Sequence, residues 1–302
     1  MQIHIENALR LYEQWEGAKI MSNNVIYNRT VAERSFEPYG LRYEMAPALE
    51  QLPLKFGVTF RYGGVSEGAF QSLNLGLHVN DDEAAVRENR KRLAEALGAT
   101  ADAVTVGEQI HGLTATEVTP TLRGCGATTL ADAIPASDAL YTDAVGVPLL
   151  LLVADCVPVL LYDRAHHAVA VVHAGWRGAV GCLPRLTLEA MTKRYGTKPS
   201  DVYAYTGPSI QGQSFEVGEE VADQFRAAGA GDGVISYKTP NGKPYVDLQR
   251  FIADDLQGAG VPNSQIVVSP TNSIDDERCF SYRRDKGVTG RMALFAMLSP
   301  TK

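Results

Sequence analysis

Cys156 and His173 stand near the two ends of one apolar stretch, "CVPVLLYDRAHHAVAVVH". The stretch reads as two strands joined by a turn centred on "RAHH". A loop of two or of four residues gives one register, with Asp163 opposite Ala168 and Pro158 opposite His173. Side chains alternate between faces along a strand. Cys156 precedes Pro158 by two positions, so it shares the face of His173 and lies diagonal to it at the open end of the hairpin. A three-residue loop would break this relationship. A thiolate and an imidazole side by side suit zinc. His111, in "VGEQIHGLTA", closes another short apolar segment and supplies a third candidate. Three protein ligands with an open fourth position form the pattern of a catalytic zinc site, where the metal activates water or polarises a substrate oxygen. Each histidine alone also suits a hydrogen-bonded strand end, and Cys156 alone a small buried residue. Spacing by itself does not select the third ligand.

The elements around these residues belong to a soluble, core-forming chain. It has 302 residues, 45% apolar and 21% charged, and a net charge of -7. That charge argues against nucleic acid held through its phosphates. No apolar run has the length to span a membrane. The N-terminus has no basic segment leading into an apolar one, so no secretory signal is read there. Four widely spaced cysteines without a CxxC pair suggest neither redox nor zinc-ribbon use, and the expected compartment is the cytoplasm.

Residues 1–53 are weakly patterned and read as an irregular extension, with Met21 as an alternative start. A strand is expected over Phe56–Phe60. "NDDEAAVRENRKRLAEALG" reads as a helix capped by Asp81 or Asp82, with Val86, Leu93 and Leu97 on one face and Gly98 at its end. "PLLLLVADC" reads as a central strand, apolar on both faces. Three more helices follow, in "LPRLTLEAMTKRYG", "VGEEVADQFRAAG" and "VDLQRFIADDLQGAG", the last capped by Asp247. No regular βαβ rhythm appears. An α+β fold with mixed or antiparallel sheet is expected.

Several further motifs occur in order: "RYGGVS", "SLNLGLHVNDD", "ENR", "EQIHG", "ADCVPVLLYD", "VHAGWRG", "GPSI", "FEVGEEV" and "SYRRDKGVTGRMA". On these the chain resembles the bacterial laccase-domain family over Phe56 to Leu298. Members of that family carry three labels: multicopper polyphenol oxidase, purine nucleoside phosphorylase and peptidoglycan editing factor. The resemblance implies a metal on His111, Cys156 and His173. It also implies a single catalytic domain over 54–302, an α+β sandwich of mixed β-sheets with flanking helices. One departure is visible. Many relatives carry a Cys-Thr pair before "SYRR", where this chain has Thr271-Asn272, and Cys279 falls on a position usually aromatic. This puts a role for that other cysteine in doubt.

The labels make different chemical demands. A conventional multicopper oxidase needs paired His-x-His motifs. This chain has six histidines and no His-x-His, and His166 and His167 fall in the hairpin turn. A single copper in the His-Cys-His site could still support weak polyphenol oxidase activity, because copper competes well for such ligands. A phosphorylase needs a phosphate site and a pocket for sugar and base. Arg61, Arg177, Arg283, Arg284 and Arg291 lie in the matched motifs, and guanidinium forks suit phosphate. The turns at Gly63-Gly64 and Gly175–Gly178 let backbone N–H groups approach an anion. Neither is a Walker or dinucleotide loop.

The expected reaction is phosphorolysis of purine nucleosides (adenosine, inosine, guanosine, methylthioadenosine), with possible adenosine deamination at the same site. Cys156, His173 and Arg61 are the catalytic candidates. Asn74, Asp155, Arg177, Glu216 and Arg284 are the candidates for substrate, and Asn74 equally suits holding a turn. Trp176 could stack on a base or fill the core. The zinc deaminase signature is absent, so deamination here would have another origin. Zinc is the expected metal, with copper possible. Nucleoside and phosphate are the expected partners, without nucleic acid or membrane. Two rivals remain open. One is an amidase acting on cell-wall precursors, with the zinc site or with Cys156 as nucleophile and His173 as base. The other is a non-catalytic zinc-stabilised protein, which would need a fourth ligand that the sequence does not supply.

Overall fold

The structure, a computed structural model, describes residues 26–240 and 242–301. Strands β1 (Ala32–Phe36), β2 (Leu41–Met45), β3 (Leu54–Thr59), β4 (Thr105–Val106), β7 (Leu149–Val153) and β14 (Met292–Leu298) build a first sheet, in the order β1-β2-β3-β14-β7-β4. Strands β5 (Ala115–Glu117), β6 (Ala139–Thr142), β8 (Val157–Asp163), β9 (Ala168–Ala174), β10 (Val202–Thr206) and β13 (Ile266–Val268) build a second, in the order β13-β10-β8-β9-β6-β5. A short ribbon pairs β11 (Ile235–Tyr237) with β12 (Pro244–Val246). Both large sheets are mixed: β4 runs parallel to β7, β5 to β6 and β13 to β10, while the remaining pairs are antiparallel. The fold is α+β, as expected.

Side-chain alternation explains why the sheets stack. Leu149, Leu151 and Val153 share one core with Leu160, Tyr162, Val169 and Val171, between the two sheets. Leu150 and Leu152 point the other way, with Phe295, onto Leu93 and Leu97 of helix Glu83–Leu97. On the far side of the second sheet, Val157, Val159, Leu161 and Val172 meet helices Leu183–Tyr195 and Leu248–Gly258. The layers are therefore helix, sheet, sheet, helices. The run Leu149–Val153 is apolar throughout because both its faces are covered.

The helices begin and end where their caps stand. Asp82 accepts from Ala84 N, and Gly98 closes that helix with a left-handed φ of 76°. Asp81 takes another role, accepting from Ser66 Oγ and Asn74 Nδ2. Asp247 accepts from Arg250 N at the start of Leu248–Gly258. Helix Glu219–Ala227 begins after Gly218. None of the described helices is long and apolar enough to cross a membrane.

One expectation needs correction. Residues 1–53 are not all irregular, because Ala32–Phe36 and Leu41–Met45 pair antiparallel and extend the first sheet beside β3. Each strand is only five residues long and carries charged residues among its apolar ones, and β1 is half-exposed, so neither has the apolar run that marks an interior strand. Phe36 and Tyr43 stack at 4.6 Å and cover Phe295. Met21 lies outside the described residues.

Candidate metal centre and its surroundings

The expected hairpin register is the observed one: Asp163 pairs with Ala168 and Pro158 with His173 across the Arg164–His167 turn. His166 is held there by Asp163, 2.8 Å away, and His167 by Tyr162 and the Ser299 carbonyl. At the opposite end, Cys156 enters β8 as His173 leaves β9. Strand β6 runs antiparallel to β9 with Ala139 opposite Val172, which sets Asp138 beside His173. Strand β5 runs parallel to β6, so the loop before it, carrying His111, starts from the same end. Two strand starts, one strand finish and the loop ahead of β5 thus meet at one edge of the second sheet.

The potential ligand atoms of His111, Cys156 and His173 all lie within 4.8 Å of one another. Cys156 Sγ is 3.9 Å from His111 Nε2, and the two imidazoles meet edge to face with centroids 4.8 Å apart. His111 is exposed, Cys156 half-buried and His173 buried, so the cluster opens toward solvent on one side. Gly175 is required by this closeness. A Cβ there would stand 3.0 Å from Cys156 Sγ and 3.1 Å from His111 Cδ2.

Asp138 organises the cluster. Its carboxylate lies 2.8 Å from His173 Nδ1, and it accepts the backbone N–H groups of Ile110, His111 and Gly112 at 3.1, 2.9 and 2.7 Å. The contact at Nδ1 leaves His173 Nε2 facing Cys156, the orientation a metal-bound imidazole requires. The three amide contacts hold His111 in a left-handed conformation, φ 60°, that a side chain rarely adopts. Burial opposes the charge of Asp138, but His173 and the amides outweigh it and hold the carboxyl below its usual range. Burial likewise opposes ionisation of the Cys156 thiol. The adjacent imidazoles, His173 foremost, overcome this and lower it, favouring the thiolate that binds metal.

The other expected residues divide into those near the cluster and those consumed elsewhere. Asp155 sits at the sharp crossing from the first sheet to the second, with φ 83°. Its buried carboxylate accepts from Ser273 Oγ at 2.6 Å and from Arg283 N at 2.7 Å. Asn74 is fully buried. Its Oδ1 accepts from Gly76 N and Arg291 N, and its Nδ2 donates to Asp81. Both residues brace the loops that carry them through these bonds. Arg61 donates to the Gln71 carbonyl and lies over the Phe280 ring. Arg284 is paired with Asp285 and donates to the carbonyls of Ser273, Asp276 and Cys279. Glu216 accepts from Tyr245 and pairs with Lys243 at 3.5 Å. Arg177 is exposed, its guanidinium 4.2 Å over the half-buried Trp176 ring. Trp176 also packs against the helix-side core. Cys279 is buried, and burial pushes its thiol up, away from reactivity.

Sequence reasoning missed two residues here. Asp138 stands just before the short strand "ALYT", where a carboxylate has no local apolar pattern to betray it. His78 lies in the motif "SLNLGLHVNDD" near Arg291. It keeps an exposed edge, yet protein packed around the ring and the Arg291 charge push it down to about 4.

Comparison with known proteins agrees with this geometry. The purine nucleoside phosphorylase YlmD of Geobacillus stearothermophilus is 40% identical over 241 residues, 79% of this chain and 88% of that protein. A purine nucleoside phosphorylase of Deinococcus radiodurans is 39% identical over 80% of this chain and 88% of its own length. The crystal structure of the Geobacillus YlmD superposes with a TM-score of 0.82 at 37% identity, covering 88% of this chain and 99% of that one. The Bacillus licheniformis hypothetical protein YfiH gives 0.82 at 33% identity, covering 87% and 98%. The family described as multi-copper polyphenol oxidoreductase laccase matches residues 55–299. With its two-sheet architecture and its His-Cys-His cluster in place, the chain belongs to this laccase-like family.

Proposed function

We propose that this chain is a metal-dependent purine nucleoside phosphorylase working at His111, Cys156 and His173. The observation that carries the reading is the three-ligand cluster with an open side, in a chain 40% identical to a protein named for this activity. One thiolate and two imidazoles are a zinc donor set, and among the described residues no fourth His, Cys, Asp or Glu joins them. The carboxylate behind His173 supports the same assignment. When bound, the metal supplies Lewis-acid stabilisation of charge on substrate oxygens.

The protein's own contribution is positioning. Asp138 fixes both histidines, and Asp155 and Asn74 fix the loops that frame the opening. Arg177 with Trp176 offers an exposed charge beside an aromatic ring, and Glu216 an exposed carboxylate. In phosphorolysis a phosphate oxygen bonds to C1′ as the C1′–N9 bond breaks. The electron pair leaves with the purine, which takes up a proton. Adenosine, inosine, guanosine and methylthioadenosine all present this bond.

The test is product analysis with metal-assayed protein and adenosine, with and without phosphate, beside Cys156→Ala. Adenine and ribose 1-phosphate are expected only with phosphate and only from the wild type. Inosine would add deamination. If Cys156→Ala loses metal but keeps nucleoside turnover, the site assignment is wrong. If the metal-loaded wild type turns over no nucleoside, the cell-wall amidase takes precedence. Oxidase activity would have to appear on copper reconstitution.

A further inference from the structure

We propose that Arg291 binds the phosphate co-substrate, a tetrahedral oxyanion, beside the metal ligands. This rests on the phosphorylase reading and names the residue that reading leaves open.

Arg291 stands directly before β14, whose Met292 pairs with Val153. From Val153 the chain crosses through Asp155 to Cys156, so Arg291 lies next to that crossing. Its backbone is pinned, since Asn74 Oδ1 accepts Arg291 N at 2.8 Å and Gly76 N at 3.0 Å. Its side chain lies on the turn at Gly76, which exists to admit it. A Cβ on Gly76 would stand 2.8 Å from Arg291 Cγ and 3.3 Å from His78 Cε1. The His78 ring and the Arg291 stem therefore flank one point. The Tyr282 ring centroid is 5.7 Å from the guanidinium carbon.

The guanidinium is underused. Nη1 donates to the Thr289 and Gly290 carbonyls at 2.9 and 3.1 Å. Among the described residues no carboxylate pairs with it within 4 Å, and neither Nε nor Nη2 has a hydrogen-bond partner. Burial lowers its pKa, and Cys156, Tyr282 and Asp155 act in the opposite sense. Asp155 is already satisfied by Ser273 and Arg283. A part-buried cation with one free edge and no counter-ion is built to receive an anion. A guanidinium edge offers the paired, parallel donors that phosphate oxygens accept. The rival arginines are placed differently: Arg284 is paired with Asp285, Arg283 reaches the Glu216 carbonyl, Arg61 donates to the Gln71 carbonyl and lies over the Phe280 ring, and Arg177 is exposed over Trp176.

The experiment titrates zinc-loaded full-length protein with inorganic phosphate alone, by calorimetry, for wild type, Arg291→Gln, Arg291→Lys, Gly76→Ala and Arg177→Gln. Metal content and melting temperature are recorded for each. Arg291→Gln should weaken phosphate at least about tenfold, the usual scale for losing charged hydrogen bonds. Arg291→Lys should recover only part of this, because a lysine lacks the fork. Gly76→Ala keeps the arginine but displaces it, and should also weaken phosphate. Zinc content should hold in all of them. The KM for phosphate should rise in Arg291→Gln while that for nucleoside does not. The proposal is overturned by wild-type phosphate affinity in Arg291→Gln, by loss in Arg177→Gln instead, by loss of zinc together with phosphate, or by no phosphate binding to the wild type. Phosphate held through Arg291 without nucleoside turnover would sink the phosphorylase reading and leave the anion site standing.

Discussion

A single oxygen of Asp138, Oδ1, lies 2.8 Å from His173 Nδ1 and also accepts the backbone N–H of His111 at 2.9 Å. One carboxylate thus fixes two of the three potential ligands, one through its ring and one through its main chain.

Asp138→Asn should therefore weaken metal binding about 10- to 100-fold, the scale for losing a partner behind a metal-bound histidine. The amide nitrogen would also face the N–H groups that Oδ2 now accepts, from Ile110 and Gly112. Competition against a chelator of known affinity measures the loss. Unchanged affinity would mean that Asp138 does not set the ligand geometry.

Gly175→Ala places a methyl against Cys156 Sγ and His111 Cδ2. The backbone there, φ -68° and ψ 178°, accepts alanine without strain. The expected outcome is weaker metal binding with an unchanged melting temperature of the metal-stripped protein. Wild-type metal affinity would show that the two ligands have room to move apart.

Asp163 should set part of the acid stability. Its side chain is fully buried and accepts from His166 Nδ1 and from the amides of Ala165 and His166. Burial opposes its charge, but the Thr197 side chain, His166 and the two amides together hold the folded carboxyl below the ordinary range. A depressed carboxyl contributes stability above its unfolded value and loses it as pH falls toward the folded value. Asp163→Asn should cost about 1–3 kcal/mol at neutral pH, with the gap to wild type closing below about pH 4. Denaturant melts across that range decide it. A gap independent of pH would remove the ionised carboxylate from the account.

Phe295→Ala should destabilise by about 3–5 kcal/mol, since the ring is fully buried beneath Phe36 and Tyr43. Deletion through residue 46 should lower the melting temperature as well, because it strips those rings and bares the edge of β3. An unchanged melt in the deletion would return β1 and β2 to the status of an appendage.

Much of the site was legible in the sequence because strand alternation is a strict rule. Cys156 and His173 follow from one hairpin register, and that register is observed. The helix caps at Asp82 and Asp247 and the stop at Gly98 follow from local chemistry. His111 is different: 45 residues separate it from Cys156, and only the parallel β5–β6 pairing brings its loop to the same edge. No local pattern encodes such a pairing, so the resemblance carried that candidate. Asp138 was missed for the same reason, since its role exists only once β6 lies beside β9. From the sequence Asn74 reads as a substrate contact or as the holder of a turn, and Asp155 as a substrate contact, because polar residues in loops invite both. The structure shows them with their hydrogen-bonding groups turned inward. The strands β1 and β2 were lost because each is five residues long with charged residues among its few apolar ones, too little alternation to announce a strand.

The Arg164–His167 turn, at the far pole from the candidate metal ligands, has a consequence for how this hairpin can vary. Facing on a strand has only two values, so the turn sets the parity of everything beyond it. Two residues added there can be absorbed as a longer loop, with Cys156 and His173 still on one side. A one-residue change that shifts the pairing would send one of them through the sheet to the helix side, unless a bulge restores the count. Insertions in this turn are thus constrained, from a distance, by a site they never touch: those the loop absorbs keep both residues on one side, and those that shift the pairing by one do not.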